Sequence, residues 1–300
     1  MTTQSIELDR TAHRQRIRER RRRRSRELWY TLKSNPLSLV GFGLVLLLIL
    51  VAIFGPLLSP YDPVKPNVLE TLLPPSLEHP FGTDHAGRDI LSRVMHGAGI
   101  SLRIGVTAVA VIAVVGTTIG VIAGTIGGVF DAVVLRIADV FLAFPTLVLA
   151  LAIAATLGGG LENVVIAVAI AGWPWYARLI RSVVIETRRE SYIDAARIGG
   201  SSWPRIIRRH ILPNSVAPIV VQASQDLGFV ILLAASLGFL GVGVPLPTPE
   251  WGAMINDGRN VFLNAPWVAA FPGLAIVFAV IAFNLAGDGL RDVLDPRGRR

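Results

Sequence analysis

Residues 190–214 read ESYIDAARIGGSSWPRIIRRHILPN. This is the longest polar stretch between the apolar blocks of the chain. It holds Ala195 and Ala196 side by side, the pair Gly199-Gly200 after Asp194, a basic patch, and Pro213-Asn214. Nothing in it has the look of catalytic chemistry. The pattern predicts a short helix, a turn for which the two glycines give the freedom, a second short helix, and a Pro-Asn stop before the chain re-enters an apolar segment.

What surrounds the stretch sets its meaning. The chain has 300 residues, is 52% hydrophobic and has a mean hydropathy of +0.56. A soluble domain of this length is far less apolar, and several runs reach the roughly 20 residues that cross a bilayer. Net charge is +8, and Lys33 and Lys65 are the only lysines among 29 basic residues. Nine arginines fall within residues 14–26. Such a cluster suits nucleic acid or anionic lipid. Clustered basic charge beside apolar spans is better explained by topology, with the tail held in the cytoplasm. No nucleic-acid partner is expected. Cysteine is absent, which excludes disulfides, thiolate metal sites and cysteine nucleophiles. No cleavable signal is expected, because the first apolar run begins after residue 36 and exceeds a signal core.

Six spans follow. The first covers 37–58, preceded by a basic tail (1–36) and a short interfacial helix over 28–39. Residues 59–100 form a proline-rich loop, in whose second half Ile90, Leu91, Val94 and Met95 share a helical face. The second span covers 102–125, with Gly116, Gly120 and Gly124 at the small-xxx-small spacing that lets helices approach closely. Residues 126–136 read as a short loop broken by Gly127-Gly128. The third span (137–157) is kinked at Pro145, and the fourth covers 161–180. The fifth, at 216–242, is the least apolar and carries Gln222, Ser224, Gln225 and Asp226. A Pro/Gly loop over 243–266 precedes the sixth, at 267–287.

Loop charge orients them. Residues 178–215 contain eight arginines against Glu186, Glu190 and Asp194, so this loop belongs inside. The loop 243–266 is slightly acidic and belongs outside. The expected fold is all-α and polytopic, with both termini cytoplasmic and a short tail over 291–300. The membrane core is bounded at 101–290, with its polar loop at 181–215. No internal or inverted repeat stands out.

The chemistry that is absent narrows the function. There is no G-x-x-x-x-G-K-[ST] motif, so the chain holds no phosphate-cradling ATP site of that type. No catalytic residue is expected. His79, His85 and His96 lie in one loop but lack metal-ligand spacing, and read as solvated histidines rather than a metal site. Asp226 is different. A carboxylate within a span is costly and faces a cavity or a partner helix. Gln222 falls on its face at i, i+4, and Gln225 adjoins it. These three residues line a translocation path or pack against a partner subunit. Asp139 and Asp288 lie near inner span ends, within reach of headgroup water.

Four stretches carry a family resemblance: DAARIGGSSWPRIIRRHILPN (194–214), HPFGTDHAGRDILSRVMHGAGISL (79–102), LGFLGVGVPLPTPEWGAMINDGR (237–259) and NLAGDGLRDVLDPR (284–297). The first resembles the E-A-A-x-x-x-G-x(9)-I-x-L-P loop of importer-type ABC permeases. Asp194 stands for Glu, and the spacing from Gly199 to Ile211-Leu212-Pro213 is off by no more than one or two positions. Together they resemble the second permease subunit of dipeptide, oligopeptide and nickel importers, over about residues 30–297.

The resemblance implies a type I ABC transmembrane domain in a bacterial inner membrane. It implies a second, different permease as partner, one or two kinds of ATPase subunit that bind ATP and Mg, and an extracytoplasmic binding protein. The chain itself holds no cofactor. Its loop 190–214 is expected to couple to the ATPases through Asp194, Ala195, Ala196, Gly199, Gly200, Arg205 and Pro213, with Arg208 and Arg209 as further anchors on acidic residues or headgroups. The expected cargo is a di- or oligopeptide, with nickel, glutathione or an opine as alternatives. A different class, a stand-alone ion-coupled carrier using Asp226, is also compatible with the missing ATP site.

Overall fold

A computed structural model of the protein describes residues 36–294. The Arg-rich tail and the interfacial helix expected up to residue 35 lie outside the described residues, as do 295–300. Among the described residues the fold is all-helical, and the one β-type contact is an isolated bridge between Thr83 and Asp89.

The helices are α1 (Pro36–Leu58), α2 (Ile90–Ile126), α3 (Gly128–Leu142), α4 (Thr146–Leu157), α5 (Leu161–Arg188), α6 (Ser191–Ile198), α7 (Trp203–Phe239), α8 (Trp251–Gly258) and α9 (Trp267–Leu294). Among the described residues, α1, α2, α5, α7 and α9 are long and apolar enough to cross a membrane, and α3 with α4 makes a sixth crossing if taken as one broken span.

Small residues set the helix spacing, because lipid offers no hydrophobic drive for helices to associate. Gly116, Gly120 and Gly124 of α2 meet Tyr176, Ala177 and Val184 of α5, and a Cβ on Gly120 would lie 2.5 Å from the Ala177 carbonyl oxygen. Gly41 of α1 abuts the backbone at Leu285 and Ala286 of α9, and Gly55 abuts Met95 of α2. The rest of α1 turns leucine, isoleucine and phenylalanine outward. One apolar core joins α2, α4, α5 and α7 around Ala108, Val168 and Leu237. A second joins α1, α2, α8 and α9 around Leu48, Ile90, Trp251 and Phe283.

Several boundaries differ from those expected. The second span helix begins at Ile90, not 102, so the amphipathic stretch 90–95 is its first turn. Asp89 caps it, accepting from Ser92 N at 2.7 Å. Arg93, polar enough to argue for a loop, is buried there: its Nη1 donates to the Pro63 carbonyl at 2.7 Å and its Nε lies 3.5 Å from Asp84. Asp84 also binds Arg88 at 2.7 Å, and Arg88 reaches Asp257 of α8 at 3.0 Å. These charges tie the 59–89 segment to α8.

The loop expected over 126–136 is helical, being most of α3. Pro145 does not kink one span. It stands between two helices whose axes differ by 89°, since proline cannot donate to α3 and pushes the preceding residue out of helical geometry. The 243–266 loop contains α8, whose start Glu250 caps by accepting from Gly252 N at 2.9 Å and Ala253 N at 2.8 Å. Glu250 is buried, and burial pushes its carboxyl above the ordinary range. The last helix extends to Leu294, beyond the expected 287.

The loop histidines are not solvated as a group. His79 is buried with Nδ1 3.0 Å from Asp89. His96 Nδ1 lies 2.9 Å from the Ser92 carbonyl oxygen, and only His85 is well exposed.

Candidate coupling unit and membrane cavity

The 190–214 stretch forms a compact helical unit at one end of the bundle. Helix α6 is amphipathic. Ile193 is buried, while Tyr192, Asp194, Ala195, Arg197 and Ile198 face outward. Ile193 joins Ile206 and Ile211 of α7, Val121 of α2, and Ile180 and Val184 of α5 in a small core. The unit is thus anchored on three long helices.

Its turn is a Schellman motif. Gly200 N donates to Arg197 O at 3.0 Å and Ser201 N to Ala196 O at 3.0 Å. Gly200 takes φ +77°, a left-handed value, which glycine adopts without a Cβ penalty. Gly199 has an ordinary φ of −72°, so only the second glycine of the pair does the turning.

The expected second short helix and Pro-Asn stop are one continuous element. Helix α7 passes from Trp203 through a π-turn at Ile207–Ile211 and on to Phe239. Leu212 N donates five residues back to Ile207 O, and Pro213, which needs no N–H partner, sits in the next position without ending the helix.

Aromatic and basic side chains then pin the unit. Arg188 and Arg197 stack on the Trp203 ring at 5.0 and 5.3 Å, within cation–π range. Arg188 Nη1 also caps the α2 C-terminus, donating to the carbonyls of Gly124 at 2.6 Å and Thr125 at 3.0 Å. Asn214 Nδ2 donates to the Tyr192 hydroxyl at 3.1 Å. Trp203 and Tyr192 are the structural residues that motif reading missed; their aromaticity beside arginines was the available signal. Asp194, Arg205, Arg208 and Arg209 are exposed, and Asp194 makes no hydrogen bond or ion pair with the described residues.

Two arginines counted only as loop charge are paired. Arg181 holds Asp131 of α3 through Nε and Nη2, both at 2.5 Å, and Arg178 pairs with Asp139. These pairs lash α3 to α5.

A cavity of about 380 Å³ opens between α2, α4, α5 and α7. Asp226 and Gln222 line it, with Gln222 Nε2 donating to Asp226 Oδ1 at 2.9 Å. Tyr176 and Trp175 of α5 and Phe229 of α7 complete its polar and aromatic wall. The i, i+4 pairing expected of Gln222 and Asp226 is therefore present. Gln225 lies elsewhere: it packs on Gly287 of α9 and donates to Asp288 at 3.3 Å.

The fold and these features define an importer-type ABC permease domain. The chain belongs to the family described as binding-protein-dependent transport system inner membrane component, whose model matches residues 116–300. A second model, the N-terminal transmembrane domain of oligopeptide transport permease C, matches 24–75. A dipeptide transport system permease protein of Alkalihalophilus pseudofirmus is 49% identical over 272 residues, 91% of this chain and 90% of that protein. A probable D,D-dipeptide transport system permease protein of Escherichia coli K12 is 44% identical, covering 90% of this chain and 91% of its own length. A glutathione transport system permease protein of Shigella sonnei is 47% identical, with 90% of each chain covered. The inward-facing MetNI methionine ABC transporter shares the fold, with a TM-score of 0.56 at 19% identity, over 69% of this chain and 98% of that one.

Proposed function

We propose that this chain is one of two different permease subunits of an ATP-driven importer of short peptides. The observation that carries this is identity of 44–49% to dipeptide permeases over nine-tenths of both chains. The glutathione relatives keep the cargo within small peptides, since glutathione is itself a tripeptide.

In this reading ATP and Mg sit on separate ATPase subunits, and a binding protein delivers cargo from outside. The basic α6 end faces the cytoplasm, as the density of arginine there favours, and both termini lie on that side. Helix α6 presents Asp194, Ala195 and Ala196 to the ATPase. Small alanines allow a close approach, Gly199 and Gly200 keep the end of the helix low, and Arg205 and Pro213 belong to the supporting helix. The cavity beside Gln222 and Asp226 lies on the translocation path.

The test is ATP-driven uptake of labelled dialanine into proteoliposomes holding both permeases and the ATPases, with binding protein outside. Accumulation that requires ATP, the binding protein and this chain supports the reading. Uptake by this chain alone, driven by an ion gradient, overturns it.

A further inference from the structure

The cavity on α5 and α7 has a chemical imbalance. Asp226 lies near the middle of the 28-residue segment Leu212–Phe239, and Tyr176 near the middle of the 28-residue α5. At 1.5 Å per residue each is about 20 Å from the ends of its segment, and Asp226 is half-buried among the helices. Asp226 receives an amide hydrogen bond from Gln222 at 2.9 Å, but among the described residues no Arg, Lys or His makes an ion pair with it. A neutral amide does not compensate the charge of a half-buried carboxylate.

Tyr176 is 1% exposed, and its hydroxyl lies beside the Asp226 carboxylate in the same cavity. A phenolic oxygen there still offers lone pairs to an incoming donor. Trp175 adds an aromatic wall to the same cavity and is itself 60% exposed. A carboxylate, a phenolic oxygen and an aromatic face form a set that receives a cation and repels an anion. The volume of about 380 Å³ suits a small organic ligand.

We infer that this cavity is a subsite for a primary ammonium group of the cargo. Asp226 supplies the counter-charge, the Tyr176 oxygen accepts a second N–H, and the Trp175 ring flanks the cation. The inference rests on the peptide-import reading, in which each cargo molecule carries a free amino terminus. It goes further by assigning that terminus a place within the membrane.

The experiment uses the purified complex of both permeases and the ATPases, without binding protein, and reads tryptophan fluorescence as dialanine or N-acetyl-dialanine is added. A saturable change with dialanine, absent with the acetylated form and lost in Trp175→Phe, is expected. Asp226→Asn weakens dialanine binding at least about tenfold, the usual loss for a charged hydrogen bond. Tyr176→Phe weakens it less, and Asp226→Glu retains it. Equal response to both peptides, no response in the wild type, or an unchanged Kd in Asp226→Asn overturns the subsite. A response to Na+ alone marks an inorganic cation site and overturns it too. So does separation of the permeases in Asp226→Asn on size-exclusion chromatography, which identifies Asp226 as the partner of a cation on the second permease. The two readings fail separately. Binding of dialanine without ATP-driven uptake overturns the import function, while uptake with an unaffected Asp226→Asn overturns the subsite alone.

Discussion

Gly200 shows how much one dihedral angle decides. Its φ of +77° lets Ser201 N reach Ala196 O and closes α6. An alanine there pays a left-handed penalty of about 1 kcal/mol. Gly200→Ala is therefore expected to speed amide exchange over residues 196–201 roughly fivefold in the assembled complex. Gly199→Ala, at a φ of −72°, is expected to leave exchange there nearly unchanged. The pair looked equivalent in sequence because adjacent glycines carry no mark of which one takes the left-handed angle. Asp226 was legible for a different reason: a carboxylate amid apolar residues is conspicuous. Its hydroxyl neighbour Tyr176 was not, since nothing local links residues on separate helices.

At the scale of elements, glycine spacing predicted a contact that the structure supplies. Gly120 leaves no room for a side chain against Ala177 and Arg181. Gly120→Leu is expected to lower the melting temperature of the detergent-purified complex, at a cost of about 1–3 kcal/mol or more. Gly43→Leu on α1, where a Cβ meets nothing within 4 Å, is the matched control and is expected to have little effect. The long apolar runs were readable because hydropathy alone reports them. Where the reading stopped short, tertiary partners had overridden local character. Arg93 sits in a helix because Pro63 and Asp84 pair with its Nη1 and Nε. Helix α8 hides in a Pro/Gly-rich segment because the Glu250 side chain caps it. Pro145 makes a corner of 89°, and proline by itself does not distinguish a corner from a kink. The π-turn at Ile207–Ile211 likewise has no sequence signature that separates it from a stop at Pro213.

For the whole molecule, the arrangement joins the α6 unit and the cavity-bearing helices in one chain. Helix α6 rests on the same α5 and α7 that hold Tyr176 and Asp226. Arg188, Arg197 and Trp203 stiffen the joint between α5, α6 and α7, so displacement of α6 is delivered to α5 and α7 rather than absorbed by a loose linker. The ion pairs Arg181–Asp131 and Arg178–Asp139 carry α3 along with α5. In the proposed importer, closure of the ATPases moves α6, and the two helices beside the cavity move with it.

The most direct test is the ratio of peptide transported to ATP hydrolysed by the reconstituted complex, in the wild type and in Ala196→Arg. Ala196 is half-buried on α6 and absent from the buried core, so the substitution alters the face proposed to dock and is expected to leave the chain folded. The ratio is expected to fall toward zero in Ala196→Arg while the two permeases still co-purify. An unchanged ratio, with uptake at the wild-type rate, would contradict it.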